Sequence, residues 1–343
     1  MRRPIFRQPN PAQSETPKPG LGQVLRLSSR GGRLARRAAD TAEMTSNDDR
    51  LRTFRELTPL LRSLAYRMLG SVADADDIVQ EAFVRWEGAT AEEIRSPRAY
   101  LTTVITRLCI DSRRSARARH EQYVGTWLPE PVSEAPSAPP DASAAFAESL
   151  SVAFLMLLES LSPVERAVYL LHSAFDLEYA EIAPIVGKSE DNCRQIARRA
   201  AAALGARKPR FTPSREERHH LATAFAASTR TGSLDQLAAL FAHDVELWSD
   251  GGPSARARFG KTRVASKPIV GKRAVVRFIS AALAGAPPGF ERRVADINGE
   301  PGIVGFVDGR VVSAITFLVE DGLIRSIYIM ADPEKLSRVS LSS

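Results

Sequence analysis

Five arginines, Arg107, Arg113, Arg114, Arg117 and Arg119, fall within thirteen residues whose only acid is Asp111. Guanidinium groups at that density suit phosphate contacts and stacking on exposed bases. Tyr100, Thr102, Thr103 and Thr106 lie just upstream, within reach of bases, although a basic, solvated helix end would carry the same pattern. A second basic set follows in EYAEIAPIVGKSEDNCRQIARRAAAAL, residues 178–204. It reads as a short helix, a tight turn at Gly187 and a second helix capped by Ser189, which is a helix-turn-helix. Glu190, Asn192, Arg194, Gln195, Arg198 and Arg199 fall on or near the outward face of the second helix. Arg and Asn or Gln are the side chains that read guanine and adenine edges in the major groove. Arg207, Lys208 and Arg210 extend the run, and no acid occurs between Asn192 and Arg210.

A third set is acidic. Asp74, Asp76, Asp77, Gln80, Glu81 and Trp86 lie on DADDIVQEAFVRW. Asp77, Gln80 and Glu81 share one helix face at i, i+3, i+4, which leaves Ile78, Ala82 and Phe83 to turn toward a core. Such a face fits a protein partner, or a solvated helix with acids at its positive end.

Positioning these sets takes several helices. LRTFRELTPLLRSLAYRML puts Leu57, Leu60, Leu61, Leu64, Ala65 and Met68 on one face of a helix that starts near Asp48 and ends at Gly70. Ser96-Pro97 opens the helix that carries the first arginines. YVGTWLPEPVSEAPSAPPDASAA then interrupts the pattern with five prolines and reads as a flexible linker. Helices resume over residues 145–206 and break again at RKPRFTPS. From residue 214 the character changes. Two helical stretches, 215–229 and 233–241, precede β-type segments. GIVGFVDGRVVSAITFLVEDGLIRSIYIM reads as three strands separated by Asp308-Gly309 and Asp321-Gly322, both strong hairpin signals. The predicted fold is multidomain: two all-α domains joined by a flexible linker, then an α+β domain with a curved sheet.

Composition narrows the function classes. The 343 residues are 44% apolar and 25% charged, as in ordinary globular chains. No apolar run approaches the roughly 18 residues of a membrane helix, and VAFLMLL stops at Glu159. The N-terminus lacks the apolar core of a signal peptide, so a cytoplasmic protein without membrane insertion is expected. Cys109 and Cys193 have neither disulfide nor zinc-ligand spacing, and Cys193 reads as a packing residue. Of the net charge of +7, residues 1–43 contribute +6 from nine basic and three acidic side chains. Those residues are rich in Pro, Gly, Ser and Arg and are expected to be disordered, with Met44 an alternative start. The positive charge that matters for nucleic acid is therefore local.

These segments carry a resemblance. RSLAYRMLGSVADADDIVQEAFVRW resembles the region by which bacterial sigma factors clasp core RNA polymerase. SPRAYLTTVITRLCIDSRRSARA resembles their −10 segment, and LSPVERAVYLLHSAFDLEYAEIAPIVGKSEDNCRQIARRA their −35-binding region. The combination is similar to the extracytoplasmic-function group. YVGTWLPEP in the linker and DPEKL at 332–336 resemble signatures of its SigJ-like subgroup, whose members carry a fused SnoaL-like C-terminal domain. The resemblance covers 44 to about 339. It implies an N-terminal extension (1–46), sigma region 2 (47–122), a Pro-rich linker (123–146), sigma region 4 (147–208) and an NTF2/SnoaL-like cone (214–339).

What the resemblance implies for residues is specific. Asp76, Asp77, Gln80 and Glu81 align with the face that docks core polymerase. Arg98, Tyr100, Thr103, Arg107, Arg113, Arg114 and Arg117 fall to the −10 element; Ser189, Asn192, Arg194, Gln195, Arg198 and Arg199 fall to the −35 element. Promoters resembling TGTCAC upstream and CGTC downstream are expected. Polymerase makes the phosphodiester bonds, so no catalytic residue, metal or cofactor is expected of this chain, whose partners are core polymerase and promoter DNA. In the cone, His243, Asp244, Asp250 and Trp248 could serve acid–base chemistry, but His243 has no partner at a dyad spacing, and a regulatory module without chemistry is expected. The subgroup places Asp-Gly-Gly-Gly-Lys early in this domain. Here Asp250, Gly251 and Gly252 fit, Pro253 and Ser254 depart, and eight basic residues without an acid follow from Arg256 to Arg277. An intramolecular contact is expected between Trp127, Leu128 and Pro129 of the linker and Asp332, Pro333, Glu334, Lys335 and Leu336 of the terminal motif. The rival explanations are a ligand-responsive helix-turn-helix regulator that acts without polymerase, and an enzyme with accessory helical domains.

Overall fold

The computed structural model describes residues 31–90, 94, 96–120, 126–133, 149–205, 213–252, 258–259 and 262–339. Helix α1 (Gly31–Leu69) begins well before the expected start at Asp48. RLARRAADTAEM has four Ala and three Arg, both good helix formers, which suits a helix over this stretch. Gly70 turns the chain at φ 73°, and Ser71 caps α2 (Val72–Gly88) by accepting from the Asp74 N–H at 3.2 Å. Helix α3 (Pro97–His120) follows, then α4 (Val152–Leu158) and α5 (Pro163–Ser173), which opens on a reciprocal capping box between Ser162 and Glu165. Helices α6 (Tyr179–Val186) and α7 (Glu190–Gly205) complete the helical part.

The seven helices fall into the two expected sets, α1–α3 and α4–α7, and the sets pack on each other: Leu64, Leu101 and Ile105 of the first share one core with Leu158, Leu171 and Ile182 of the second. The cause lies on α3, where Leu101, Val104, Ile105, Leu108 and Cys109 form a stripe wide enough to meet α2 on one side and α5 and α6 on the other.

The C-terminal part opens with α8 (Arg215–Thr231) and α9 (Leu234–Ala239) and continues into β1 (Phe241–Asp250). The short pair β2 (Arg258–Phe259) and β3 (Thr262–Arg263) precedes β4 (Ile269–Val270) and α10 (Lys272–Ala284). Strands β5 (Phe290–Ile297), β6 (Glu300–Val307), β7 (Arg310–Glu320) and β8 (Leu323–Met330) precede α11 (Pro333–Leu336). The main sheet has the order β4-β1-β8-β7-β6-β5, antiparallel except for the β1–β8 pair. Irregularities after Phe241, at Gly305/Phe306 and at Leu318/Val319 curl it, as bulges do.

Both faces of this sheet are covered. One packs Val245, Ile303, Phe317 and Ile327 against Leu221 and Phe225 of α8 and Val275 and Ile279 of α10. The other packs Ile297, Val304, Phe306, Tyr328 and Met330 against Leu128 of the linker, Val152 and Ala153 of α4, and Leu336 and Val339 near the C-terminus. That double burial explains why GIVGFV in β6 is an unbroken apolar run instead of an alternating one.

Candidate functional site

Helix α7 presents one exposed polar face, set by local caps. Gly187 sits in the left-handed region at φ 65° and ends α6, and the Ser189 Oγ accepts from the Asn192 N–H at 3.3 Å. Cys193, Ile196, Ala197 and Ala200 turn into the core, so Asn192, Arg194, Gln195, Arg198 and Arg199 are left exposed on the opposite face. Arg194 pairs with Glu190 one turn earlier and lies 5.7 Å from the Tyr179 ring centre. Burial pushes the Cys193 thiol up, in keeping with its packing role.

Helices α2 and α3 flank an open groove of about 800 Å³ lined by Arg85, Tyr100, Thr103, Val104 and Arg107. Three of the −10 candidates therefore share one surface, and Arg98 and Arg114 are exposed outside it. Arg107, within the groove, and Arg113, outside it, are also tied to the protein itself. Arg107 donates to the Pro184 and Ile185 carbonyls at 2.8 and 3.1 Å, so its guanidinium caps the end of α6. Arg113, expected at the −10 element, turns inward. Its side chain is 11% exposed and donates to the Met68 carbonyl and to Glu159. A carboxylate on α4's C-terminal side draws it inward. The side chain of Arg117 lies outside the described residues.

Glu159 also binds Arg166, which is fully buried and donates twice to the Arg67 carbonyl. Burial alone would raise the Glu159 carboxyl; Arg166 and Arg113 outweigh it and bring the group down to about 2. Burial lowers Arg67 and Arg166 to about 10. This cluster ties α1, α3, α4 and α5 together.

On α2, Asp77, Gln80 and Glu81 are exposed as their spacing predicts, and Val84 beside them is 68% exposed. Asp76 is engaged: Arg62 reaches it at 2.6 Å and Arg338, near the C-terminus, at 2.7 Å.

Trp127, Leu128 and Pro129 of the linker lie against the terminal motif, the contact that the sequence led one to expect, and residues 126–133, read as part of a flexible linker, are hydrogen-bonded on both sides. Toward the helices, the Glu130 N–H donates to the Gly70 carbonyl at 2.8 Å, the Tyr66 hydroxyl to the Glu130 carbonyl at 2.6 Å, and the Val72 N–H to the Glu130 carboxylate at 2.7 Å. Trp127 lies so close to Gly70 that a Cβ there would come within 2.6 Å of its ring. Toward the cone, the Leu128 N–H donates to Asp250 at 2.9 Å, and Lys335 donates to the Leu128 carbonyl and to Asp250, both at 2.7 Å. The Lys335 ammonium also stands 4.7 Å from the Trp127 ring centre. Pro129 is buried beside them. Asp332 caps α11 through the Glu334 N–H and abuts Gly252 (φ 86°), so a side chain there would meet its carboxylate at 3.0 Å.

Sequence reasoning missed Asn298. It occupies the β5–β6 turn at φ 55° and is 1% exposed. Its amide donates to the Tyr66 hydroxyl and the Leu150 carbonyl at 2.7 and 2.9 Å, and its carbonyl oxygen accepts from the Val132 N–H at 3.0 Å. The Asn298-Gly299 dipeptide is the hairpin signal that could have revealed the turn. Of the set considered for acid–base chemistry in the cone, Asp244 and Trp248 line one open pocket with Glu246, and Asp250 and His243 are not part of its lining. Asp250 is occupied by the linker, Asp244 pairs with Arg325 on the surface, and Trp248 donates to Glu246.

Residues 53–119 match the family model for Sigma-70 region 2, and residues 151–204 that for Sigma-70 region 4. The chain is 36% identical over 297 residues to the ECF RNA polymerase sigma factor SigJ of Mycobacterium tuberculosis, covering 83% of this chain and 92% of that protein. It is 32% identical over 260 residues to the probable ECF RNA polymerase sigma factor SigI of the same species, covering 71% and 89%. The crystal structure of the M. tuberculosis SigJ superposes with a TM-score of 0.65 at 33% identity, over 85% of this chain and all of that one.

Proposed function

Because this chain belongs to the extracytoplasmic-function RNA polymerase sigma factors, we propose that the exposed face of α7 reads the −35 element while the cone holds the other promoter- and polymerase-contacting surfaces closed. A sigma factor binds core RNA polymerase and directs promoter-specific initiation; its relatives of this kind are not enzymes. Within that activity, Asp77, Gln80 and Glu81 are the docking residues for core polymerase, with exposed Val84 as an apolar contact one turn further along the same face. The α2–α3 groove takes the −10 strand, with Tyr100 available for base stacking and Arg98 and Arg114 for phosphates. No chemistry is assigned to the cone.

The observation that carries the closed state is the Asp250–Lys335 pair gripping both sides of the Leu128 peptide. Asp250 is fully buried and Lys335 partly so, so removing either partner leaves the other charge poorly compensated and the contact is costly to break by halves. Arg338 adds a competitive element, since it occupies the carboxylate of Asp76 on the polymerase-docking helix. A tethered domain meets its target at an effective concentration of roughly millimolar, so release of the tail shifts the balance toward polymerase. Run-off transcription with purified core polymerase tests this on a promoter carrying both elements. A chain ending at Ala331 should yield several-fold more specific transcript than the full chain at equal concentration. Identical yields from the two would sink the closed-state proposal, and no transcript from either would sink the promoter assignment.

A further inference from the structure

We propose that the cone binds a small apolar carboxylate whose charge is met by Arg292. Between α8, α10 and the sheet lies a cavity of about 80 Å³, walled by Phe225, Phe278, Ile279, Leu283, Phe290 and Ile315. That volume holds roughly five to eight water-sized groups, the bulk of one aromatic ring or a six-carbon chain bearing a carboxylate. Strand alternation on β5 turns Glu291 and Arg293 outward, where they pair with each other, and turns Arg292 into the cavity.

Arg292 is the one charged residue among those lining it. Its guanidinium donates to the Thr229 carbonyl at 3.2 Å and lies 5.2 Å from the Phe290 ring centre. A guanidinium carries five N–H donors, and among the described residues no carboxylate pairs with this one. Burial, and then the neighbouring Arg230, push its pKa down, which is the signature of a cation lacking a counter-charge. An anion seated there relieves that cost, and the apolar walls select one with a hydrophobic body. The hydroxyls of Thr229 and Ser249 are engaged with the Phe225 carbonyl and the Ala265 backbone, which leaves the rest of the wall apolar. Ser249 and Ala331, both in the lining, immediately precede Asp250 and Asp332, so the site lies one residue from the linker contacts. The binding proposal does not depend on the closed-state reading.

Saturation-transfer NMR and calorimetry on the full chain test it, using benzoate and hexanoate against the neutral benzyl alcohol and 1-hexanol. At least one carboxylate should bind, and its neutral counterpart at least tenfold more weakly. Arg292→Met should weaken the carboxylate at least tenfold and erase the preference over the alcohol, while Arg292→Lys retains part of it. Ala282→Phe, which fills the cavity, should abolish binding of both classes. The proposal fails if neither carboxylate binds, if the alcohol binds as well as the acid in the wild-type chain, or if binding survives both Arg292→Met and Ala282→Phe.

Discussion

Arg198 on α7 and Arg113 on α3 belong to stretches that look alike in sequence, each dense in arginine and poor in acid. Arg198 ends in solvent beside Asn192, Gln195 and Arg199. Arg113 ends in a buried pair with Glu159, which lies 46 residues away in the chain. Arg107 likewise caps α6 at the far side of the interface. Local charge density thus tells that a surface is basic only when no distant carboxylate or helix end claims it. The helix-turn-helix is set by its own caps and turn, and so is free to meet DNA. Helix α3, proposed to read the −10 element, is also a structural member of the helical core through Arg107 and Arg113.

The contrast breaks most sharply at the linker. Lys335→Met leaves the fully buried Asp250 carboxylate without its ammonium partner, which costs about 3–5 kcal/mol of the closed form. Hydrogen exchange at the Leu128 and Val132 amides should quicken by about a hundredfold or more. Exchange at α7 amides should keep its wild-type rate. If the two regions quicken together, they form one cooperative unit and the division between reader and clamp is wrong.

Acid separates them next. Glu159 has a folded-state value near 2, below its ordinary 4.5, so it stabilises the packed helices above pH 4.5. That contribution, about 3 kcal/mol in full, is lost as the pH falls through 2. Urea midpoints measured from pH 5 to pH 2.5 should fall more steeply for the wild-type chain than for Glu159→Gln. The variant is weaker throughout, since Arg113 and Arg166 then face a neutral amide. Parallel slopes would remove Glu159 as the pin between the sigma regions.

How far the sequence reaches follows the same line. Gly187, Ser189 and the apolar period of α7 are local signals, and they define the helix-turn-helix down to its exposed residues. The exposed acidic face of α2 is legible for the same reason. Five prolines announce that the linker is not helical, but nothing local announces that Glu130 caps α2 or that Leu128 is held by Asp250 from 122 residues away. Asn298 shows the limit most clearly. Its turn is written in the Asn-Gly dipeptide, while its partners Tyr66, Val132 and Leu150 come from three other segments. Helix α10 was hidden inside a run of basic residues, and only the apolar spacing of Val275 and Ile279 betrays it.

The smallest effect on the fold is the sharpest test of the reading head. Arg198 is exposed, and no ion pair holds it among the described residues, so Arg198→Ala should move stability by no more than about 0.5 kcal/mol. On DNA the same change removes a guanidinium of the kind that pairs bidentately with guanine. It should cost about 1–3 kcal/mol in binding to a promoter with an intact −35 element. Against a promoter with that element scrambled, wild type and variant should bind alike. Lys substitution discriminates further: a base contact needs the planar fork, so Arg198→Lys loses specificity, whereas a phosphate contact survives the exchange. Equal losses on both promoters would reassign Arg198 to the backbone and leave Asn192, Arg194 and Gln195 to carry sequence recognition.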